Sequence, residues 1–172
     1  MKIKPAAFLD RDGVINLDHG HVGKYENIDY IKGVFNAVRI LNHNNYRVFI
    51  VTNQAGIAKG LYSEDDFYDC MNKIKHDFAK NGAHFDDIMF CPYHKDALNK
   101  KYYHPNHPDR KPNPGMLVKL IDKWPTKLSK SFMVGDRDTD ILAATSLGLN
   151  SFLFENNIPL DSFIKDKLNL FK

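Results

Sequence analysis

Short apolar runs rich in β-branched and aromatic residues alternate along this chain with segments of helical periodicity. That alternation restricts the fold more than any other feature. Ala6 to Leu9, Arg47 to Val51, Ile88 to Cys91, Ser131 to Val134 and Ser151 to Phe154 read as strands. Between them, Val34, Ala37, Val38 and Leu41 share one helical face, and Phe67, Met71, Ile74 and Phe78 share another. Ser63 reads as the N-cap of the second helix, with Asp65 and Asp66 in its first turn and Gly82 at its close. Pro114 suits the start of a third helix with Leu117, Leu120, Ile121 and Trp124 inward, and a fourth runs from about Thr139 to Leu147. The expectation is an α/β fold: a Rossmann-like three-layer sandwich with a central parallel sheet, built as a single domain over residues 1–172.

Composition narrows the function classes. The net charge of +3 is small and its basic residues are scattered, so no nucleic-acid partner is expected. Two cysteines, Cys70 and Cys91, imply no disulfide framework. The first apolar run stops at Asp10, too soon for a signal-peptide core, and nothing later approaches a membrane span. A cytoplasmic protein with no membrane partner is expected. Two stretches lack periodicity, Asn16 to Asp29 and Pro92 to Pro114. Loops of that length are usually functional. The second is rich in His, Tyr, Lys and Pro, with little to bury.

The polar residues that follow the strands carry the chemistry. The first strand ends in Asp10 and Asp12, spaced i, i+2 and followed by Gly13. In α/β sheets ligands bind beyond the carboxyl ends of the strands. There, two acids can hold a divalent cation, or one can attack while the other moves protons; a turn or helix cap is the plain alternative. The second strand runs into Thr52-Asn53-Gln54-Ala55-Gly56, whose hydroxyl, amide and free N–H groups suit phosphate oxygens or an ordinary turn. The fourth runs into Gly135-Asp136-Arg137-Asp138-Thr139-Asp140, where Asp136 can complete a cation site and Asp140 can support it from the helix. Lys111, before Pro112, adds a positive charge near a helix start.

In order and spacing, Asp10-Arg11-Asp12-Gly13, Thr52-Asn53, Lys111-Pro112 and Gly135-Asp136 resemble the four motifs of the haloacid dehalogenase superfamily of phosphohydrolases. Within it, Phe8 to Asn16, Asp18 to His21, Thr52 to Gly60 and Arg110 to Met116 resemble the heptose bisphosphate phosphatases of bacterial ADP-heptose and lipopolysaccharide biosynthesis. Histidinol-phosphate phosphatases are the nearest sibling branch. The chain has no room for a large inserted cap domain, so substrate choice falls to loops, and small size favours a monomer.

The resemblance implies a sugar-phosphate substrate and Mg²⁺ as cofactor. It makes Asp10 the nucleophile, Asp12 the general acid and base, and Thr52 and Lys111 the holders of the phosphoryl oxygens. The cation would sit on Asp10, Asp136 and the Asp12 backbone carbonyl. Substrate contacts are expected from Asp18, His19, His21, Asn53, Gln54, Arg110 and Arg137, with Arg110 gripping a second, non-reacting phosphate. The family also carries a zinc-stapled loop with ligands arranged Cys-x-His and Cys-x-Cys. Here Cys91 matches, Tyr93 stands where the histidine is expected, and His107 and Asp109 stand where both later cysteines would be. Two readings stay open: a Zn²⁺ site of Cys91, His94, His107 and Asp109 (or His104), or a metal-free loop held by prolines and aromatic packing.

Overall fold

The computed structural model describes residues 2–171. Five strands, β1 (Ala6–Leu9), β2 (Arg47–Asn53), β3 (Asp87–Cys91), β4 (Phe132–Gly135) and β5 (Asn150–Leu153), form one parallel sheet in the order β3-β2-β1-β4-β5. Phe8 lies opposite Phe49 on one side and Met133 on the other, so β1 is central. Its four residues are fully buried, which explains a continuous apolar run rather than an alternating one.

Side chains of successive strand residues point to opposite faces, and each face has its own core. Ala7, Leu9, Val48, Ile50, Phe132 and Val134 pack under α1 (Val34–His43), α3 (Glu64–Lys80) and α6 (Leu160–Leu168). Ala6, Phe8, Phe49, Val51 and Met133 pack under α4 (Gly115–Lys123) and α5 (Asp138–Thr145). The result is the expected three-layer sandwich. Ser63 caps α3 as its sequence predicts: its hydroxyl accepts the Asp66 N–H at 3.0 Å while Asp66 accepts the Ser63 N–H at 2.8 Å. Such a reciprocal cap contributes about 1 kcal/mol.

Several details depart from the sequence expectations. β2 runs on through Thr52 and Asn53, because β3 offers Phe90 and Cys91 as partners there. The Ala55-Gly56 stretch is a four-residue helix, α2 (Ala55–Ala58), instead of an open turn. Trp124 follows the last residue of α4 and packs against Phe49 as expected, and Met116, which was not expected there, is buried in the same core. The sequence reading assigned no element to α6, although Leu160, Phe163, Ile164 and Leu168 repeat at helical spacing and bury against α1.

Both long loops are anchored. The Tyr25 and Tyr30 hydroxyls donate to Asp77 of α3 at 2.5 and 2.7 Å, pinning the end of the Asn16 to Asp29 loop to that helix. The Pro92 to Pro114 loop has more to bury than its composition suggests. Tyr102 goes inside and its hydroxyl donates to Glu64 Oε1 at 2.7 Å, and Lys111 and Asp109 are buried as well. No helix among the described residues is long and apolar enough to cross a membrane.

Candidate active site

The chain leaves β1 toward β2 and β3 on one side, and later crosses to β4 on the other. The carboxyl ends of β1, β2 and β4 therefore meet at a topological switch point, where α/β sheets hold ligands. An open cleft of about 420 Å³ lies there. Asp10, Asp12, Asp18, His21, Thr52 and Asn53 line it, joined by Arg110, Lys111 and Arg137.

Asp10 sits at its floor. Its Oδ1 accepts the Arg11 N–H at 2.8 Å and faces Lys111 Nζ at 2.9 Å, while its Oδ2 takes no hydrogen bond among the described residues. Burial pushes this carboxyl up to about 7; Lys111 opposes the rise, and Asp140 and Asp12 add to it. Lys111 is 3 % exposed, and its ammonium also touches Asp140 Oδ1 at 2.6 Å and donates to the Val51 carbonyl at 2.7 Å. Burial works against that charge, but the two carboxylates outweigh it and hold the lysine above its ordinary range. Asn53 explains how Lys111 arrives from so distant a point in sequence. Its side-chain amide donates to the Lys111 carbonyl at 3.0 Å and accepts the Lys111 N–H at 3.1 Å.

The same floor fits a hard divalent cation. Among the described residues, one group of three or more His, Cys, Asp or Glu has converging donor atoms: Asp10, Asp136 and Asp140, within 4.8 Å of one another. Asp136 Oδ1 is buried with no hydrogen-bond partner, and burial is the main cause that raises the Asp136 pKa, with Asp140 next. A buried oxygen without a donor is costly unless something positive meets it. Asp140 is the less available member, because Lys111 takes its Oδ1 and the Arg137 N–H takes its Oδ2 at 3.1 Å. Oxygen donors of this kind are what Mg²⁺ selects. Gly13 makes the approach possible: at φ +92° it sits where a Cβ would come 2.2 Å from Asp136 Oδ2.

Asp12 is gripped from two directions. Arg11, fully buried, places Nε and Nη2 at 3.1 and 2.8 Å from Oδ1, and Nη2 at 2.9 Å from Oδ2. Asn16 Nδ2 donates to Oδ1 at 2.9 Å and Gln54 Nε2 to Oδ2 at 3.0 Å. Its carboxylate is thereby held in place, and Asp12 is not part of the converging group of Asp10, Asp136 and Asp140.

Two expected substrate contacts are corrected. Gln54 is 1 % exposed and outside the cleft, since its amide is fully used by Asp12, Thr52 and Tyr62. His19 pairs with Asp29 at 2.6 Å in a neighbouring shallow pocket, drawn away by that carboxylate. Asp18, at the cleft mouth, is tied to Arg137 at 2.5 Å. Lys59, Tyr62, His94 and Thr139 line the cleft without having been expected there. The Ile57 to Gly60 run held the signal for Lys59, whose ammonium lies 3.3 Å from His21 Nε2.

Of the expected zinc set, His107 Nδ1 lies 3.9 Å from Cys91 Sγ and 4.0 Å from Asp109 Oδ2, but these donors do not converge with His94 into one site. His94 faces the catalytic cleft, with Nδ1 accepting the Asp96 N–H at 3.0 Å. Burial, then the Arg110 and Lys59 charges, push its pKa down. His107 is stacked on Tyr93 with ring centroids 3.9 Å apart and its Nδ1 accepts the Asp109 N–H at 3.1 Å. Lys119 claims Asp109 Oδ2 at 2.5 Å. Tyr93 thus occupies the liganding place with an aromatic face, and the loop is held by stacking and hydrogen bonds.

The chain is similar to known phosphatases in sequence and fold. Residues 109–159 match the HAD-hydrolase-like family model. The chain is 41% identical over 165 residues to a D-glycero-beta-D-manno-heptose-1,7-bisphosphate 7-phosphatase of Rhodopseudomonas palustris, covering 96% of this chain and 91% of that protein. The protein of that name from Escherichia coli K12 is 36% identical, over 87% of this chain and 78% of its own length. A Mesorhizobium loti protein described as a HAD-like phosphatase superposes with a TM-score of 0.87 at 30% identity, over 97% of this chain and 85% of that one. The D,D-heptose 1,7-bisphosphate phosphatase of B. bronchiseptica, crystallised with magnesium and phosphate, superposes with a TM-score of 0.84 at 25% identity, over 96% and 99%. With four motifs at one switch point and these relatives along nearly its whole length, the chain belongs to the haloacid dehalogenase superfamily of phosphohydrolases, in the branch of the heptose bisphosphate phosphatases.

Proposed function

We propose that this chain is a Mg²⁺-dependent phosphatase that removes the 7-phosphate from D-glycero-D-manno-heptose 1,7-bisphosphate, a step of ADP-heptose biosynthesis. The names of its relatives support the substrate. The observation that carries the reading is the double charge of one cleft. Asp10, Thr52 and Lys111 gather at its floor, while Lys59 and Arg110 line the same cleft and are not needed for a single phosphate. A guanidinium suits the second phosphate because it matches two oxygens at once. The protein acts as a monomer in the cytoplasm, on a small sugar phosphate alone.

In the reaction, Asp10 Oδ2, the oxygen without a hydrogen bond, attacks phosphorus. The bond from phosphorus to the sugar oxygen breaks, and Asp12 delivers a proton to that oxygen. The Thr52 hydroxyl and the Lys111 ammonium hold the phosphoryl oxygens as charge spreads over them. Asp12, now ionised, takes a proton from water. The resulting hydroxide opens the aspartyl-phosphate and releases phosphate, with Asp10 restored. Asp10, Asp136 and the Asp12 carbonyl would hold Mg²⁺, which would mask the repulsion between carboxylate and phosphate dianion. Asp18 and His21 face the sugar.

Phosphate release from heptose 1,7-bisphosphate, histidinol phosphate and fructose 1,6-bisphosphate, with and without Mg²⁺, tests the reading. A Mg²⁺-dependent preference for the heptose ester is expected. Equal or better turnover of histidinol phosphate overturns the substrate.

A further inference from the structure

Gln54 joins two parts of the site that no other described side chain connects. Its Nε2 donates to Asp12 Oδ2 at 3.0 Å and to Thr52 Oγ1 at 2.9 Å, and its Oε1 accepts the Tyr62 hydroxyl at 2.6 Å. The other groups holding Asp12, Arg11 and Asn16, come from its own segment after β1. Gln54 is the tie to β2, the strand that carries Thr52.

Its partners dictate which way the amide points. Asp12 Oδ2 accepts here, both when the carboxylate is ionised and when its one proton points into the cleft, so the NH₂ end must face it; the reverse would set a carbonyl oxygen against a carboxylate once the proton has left. Tyr62 then donates to the carbonyl end and holds that orientation. Thr52 Oγ1 receives the second amide hydrogen, which leaves the single hydroxyl hydrogen free to point into the cleft. The leaving oxygen and the phosphoryl oxygens are bonded to one phosphorus, so the acid and the hydroxyl donor must stand at a set separation. Misplacement by an ångström is enough to lose about two orders of magnitude in rate.

We infer that Gln54 is the positioning residue that sets this separation, keeping Asp12 aimed at the leaving oxygen and Thr52 turned as a donor to the phosphoryl group. Tyr62 is its anchor. The inference rests on the phosphatase reading above, though not on which sugar is bound.

Leaving-group dependence separates this role from a general structural one. A simple alkyl phosphate, such as glycerol phosphate, needs a proton on its departing oxygen, whereas p-nitrophenyl phosphate departs without one. kcat/KM is measured for both esters on wild type, Gln54→Leu, Gln54→Glu and Tyr62→Phe, with thermal unfolding as the check on folding. In the Gln54 variants we expect kcat/KM to fall about 100-fold or more on the alkyl ester and about tenfold or less on the aryl ester. Tyr62→Phe shifts the ratio the same way by a smaller factor, and decides the matter if the Gln54 variants fail to fold. Equal losses on both esters, or no loss, overturn the inference. If the wild type turns over only heptose 1,7-bisphosphate, an unchanged kcat of the folded Gln54 variants on that ester overturns the inference; failure of the wild type on all three overturns the phosphatase reading instead.

Discussion

Lys111 Nζ lies 2.6 Å from Asp140 Oδ1, both side chains buried and 29 residues apart in sequence. The same ammonium reaches Asp10, so one cation neutralises two carboxylates beneath the cleft. Removing it leaves Asp10, Asp136 and Asp140 facing one another in a poorly solvated floor. Lys111→Met is therefore expected to lower unfolding free energy by about 3 kcal/mol in chelator. Turnover is expected to disappear. Added Mg²⁺ recovers part of the stability and none of the activity. Denaturant unfolding with EDTA and with Mg²⁺ checks both; equal stability to wild type in EDTA contradicts the pairing.

Gly13 is expected to tolerate no side chain. Gly13→Ala places a methyl 2.2 Å from Asp136 Oδ2 at a φ of +92° that alanine resists. Asp136 has to move away, and Mg²⁺ affinity is expected to fall about tenfold or more. Calorimetric Mg²⁺ titration reads this directly. An unchanged affinity in a folded variant would remove Asp136 from the cation site.

Arg110 is expected to discriminate between substrates with one phosphate and two. Arg110→Met raises KM for the bisphosphate about tenfold or more, the loss of a charged hydrogen-bond pair, while kcat/KM for a monophosphate stays within about twofold. Steady-state kinetics on paired substrates decides it. Parallel losses on both place Arg110 at the reacting phosphate or in the loop's folding instead.

The Pro92 to Pro114 loop is expected to keep its shape without zinc. A zinc chelator followed by Mg²⁺ replenishment leaves the melting temperature unchanged, and elemental analysis finds no stoichiometric zinc. Tyr102→Phe, which removes the 2.7 Å bond to Glu64, costs about 1 kcal/mol. A chelator-induced drop in melting temperature that only zinc reverses counts against the stacked-loop account.

Asp87 ties β3 to the end of α4. Burial works against its ionised form, yet the 2.7 Å ion pair with Lys123 and the 2.8 Å bond from Trp124 Nε1 prevail and hold its pKa below the ordinary value. The folded state binds this proton less readily than the unfolded chain. Its contribution is therefore present in full above pH ~4 and fades as pH falls through the depressed folded value. Asp87→Asn is expected to cost about 1 kcal/mol at pH 7 and less at pH 3, below the ordinary carboxylate value. Unfolding curves at both pH values test the sign; an equal cost at each removes the charge from the explanation.

The sandwich and the order of the four motifs are legible in the chain before any packing is known. Strand ends are local signals: Ala6 to Leu9 stops at Asp10, and the Ser131 to Val134 run gives way to Gly135-Asp136, whatever packs around them. Ser63 and Asp66 are equally local, and their cap forms as read. Where the polar side chains point depends instead on what the fold packs against them. Gln54 looks like a loop residue open to substrate, but α2 and Tyr62 bury it against Asp12. His94 reads as a displaced zinc ligand, but its N–H pairs with the Tyr102 carbonyl, its Nδ1 accepts the Asp96 N–H, and it lines the cleft. Such orientations are set by partners 8 to 58 residues away, as Tyr62 is for Gln54 and Asn53 for Lys111. A hydrogen-bond partner brought by the fold outweighs any preference legible in the neighbouring residues.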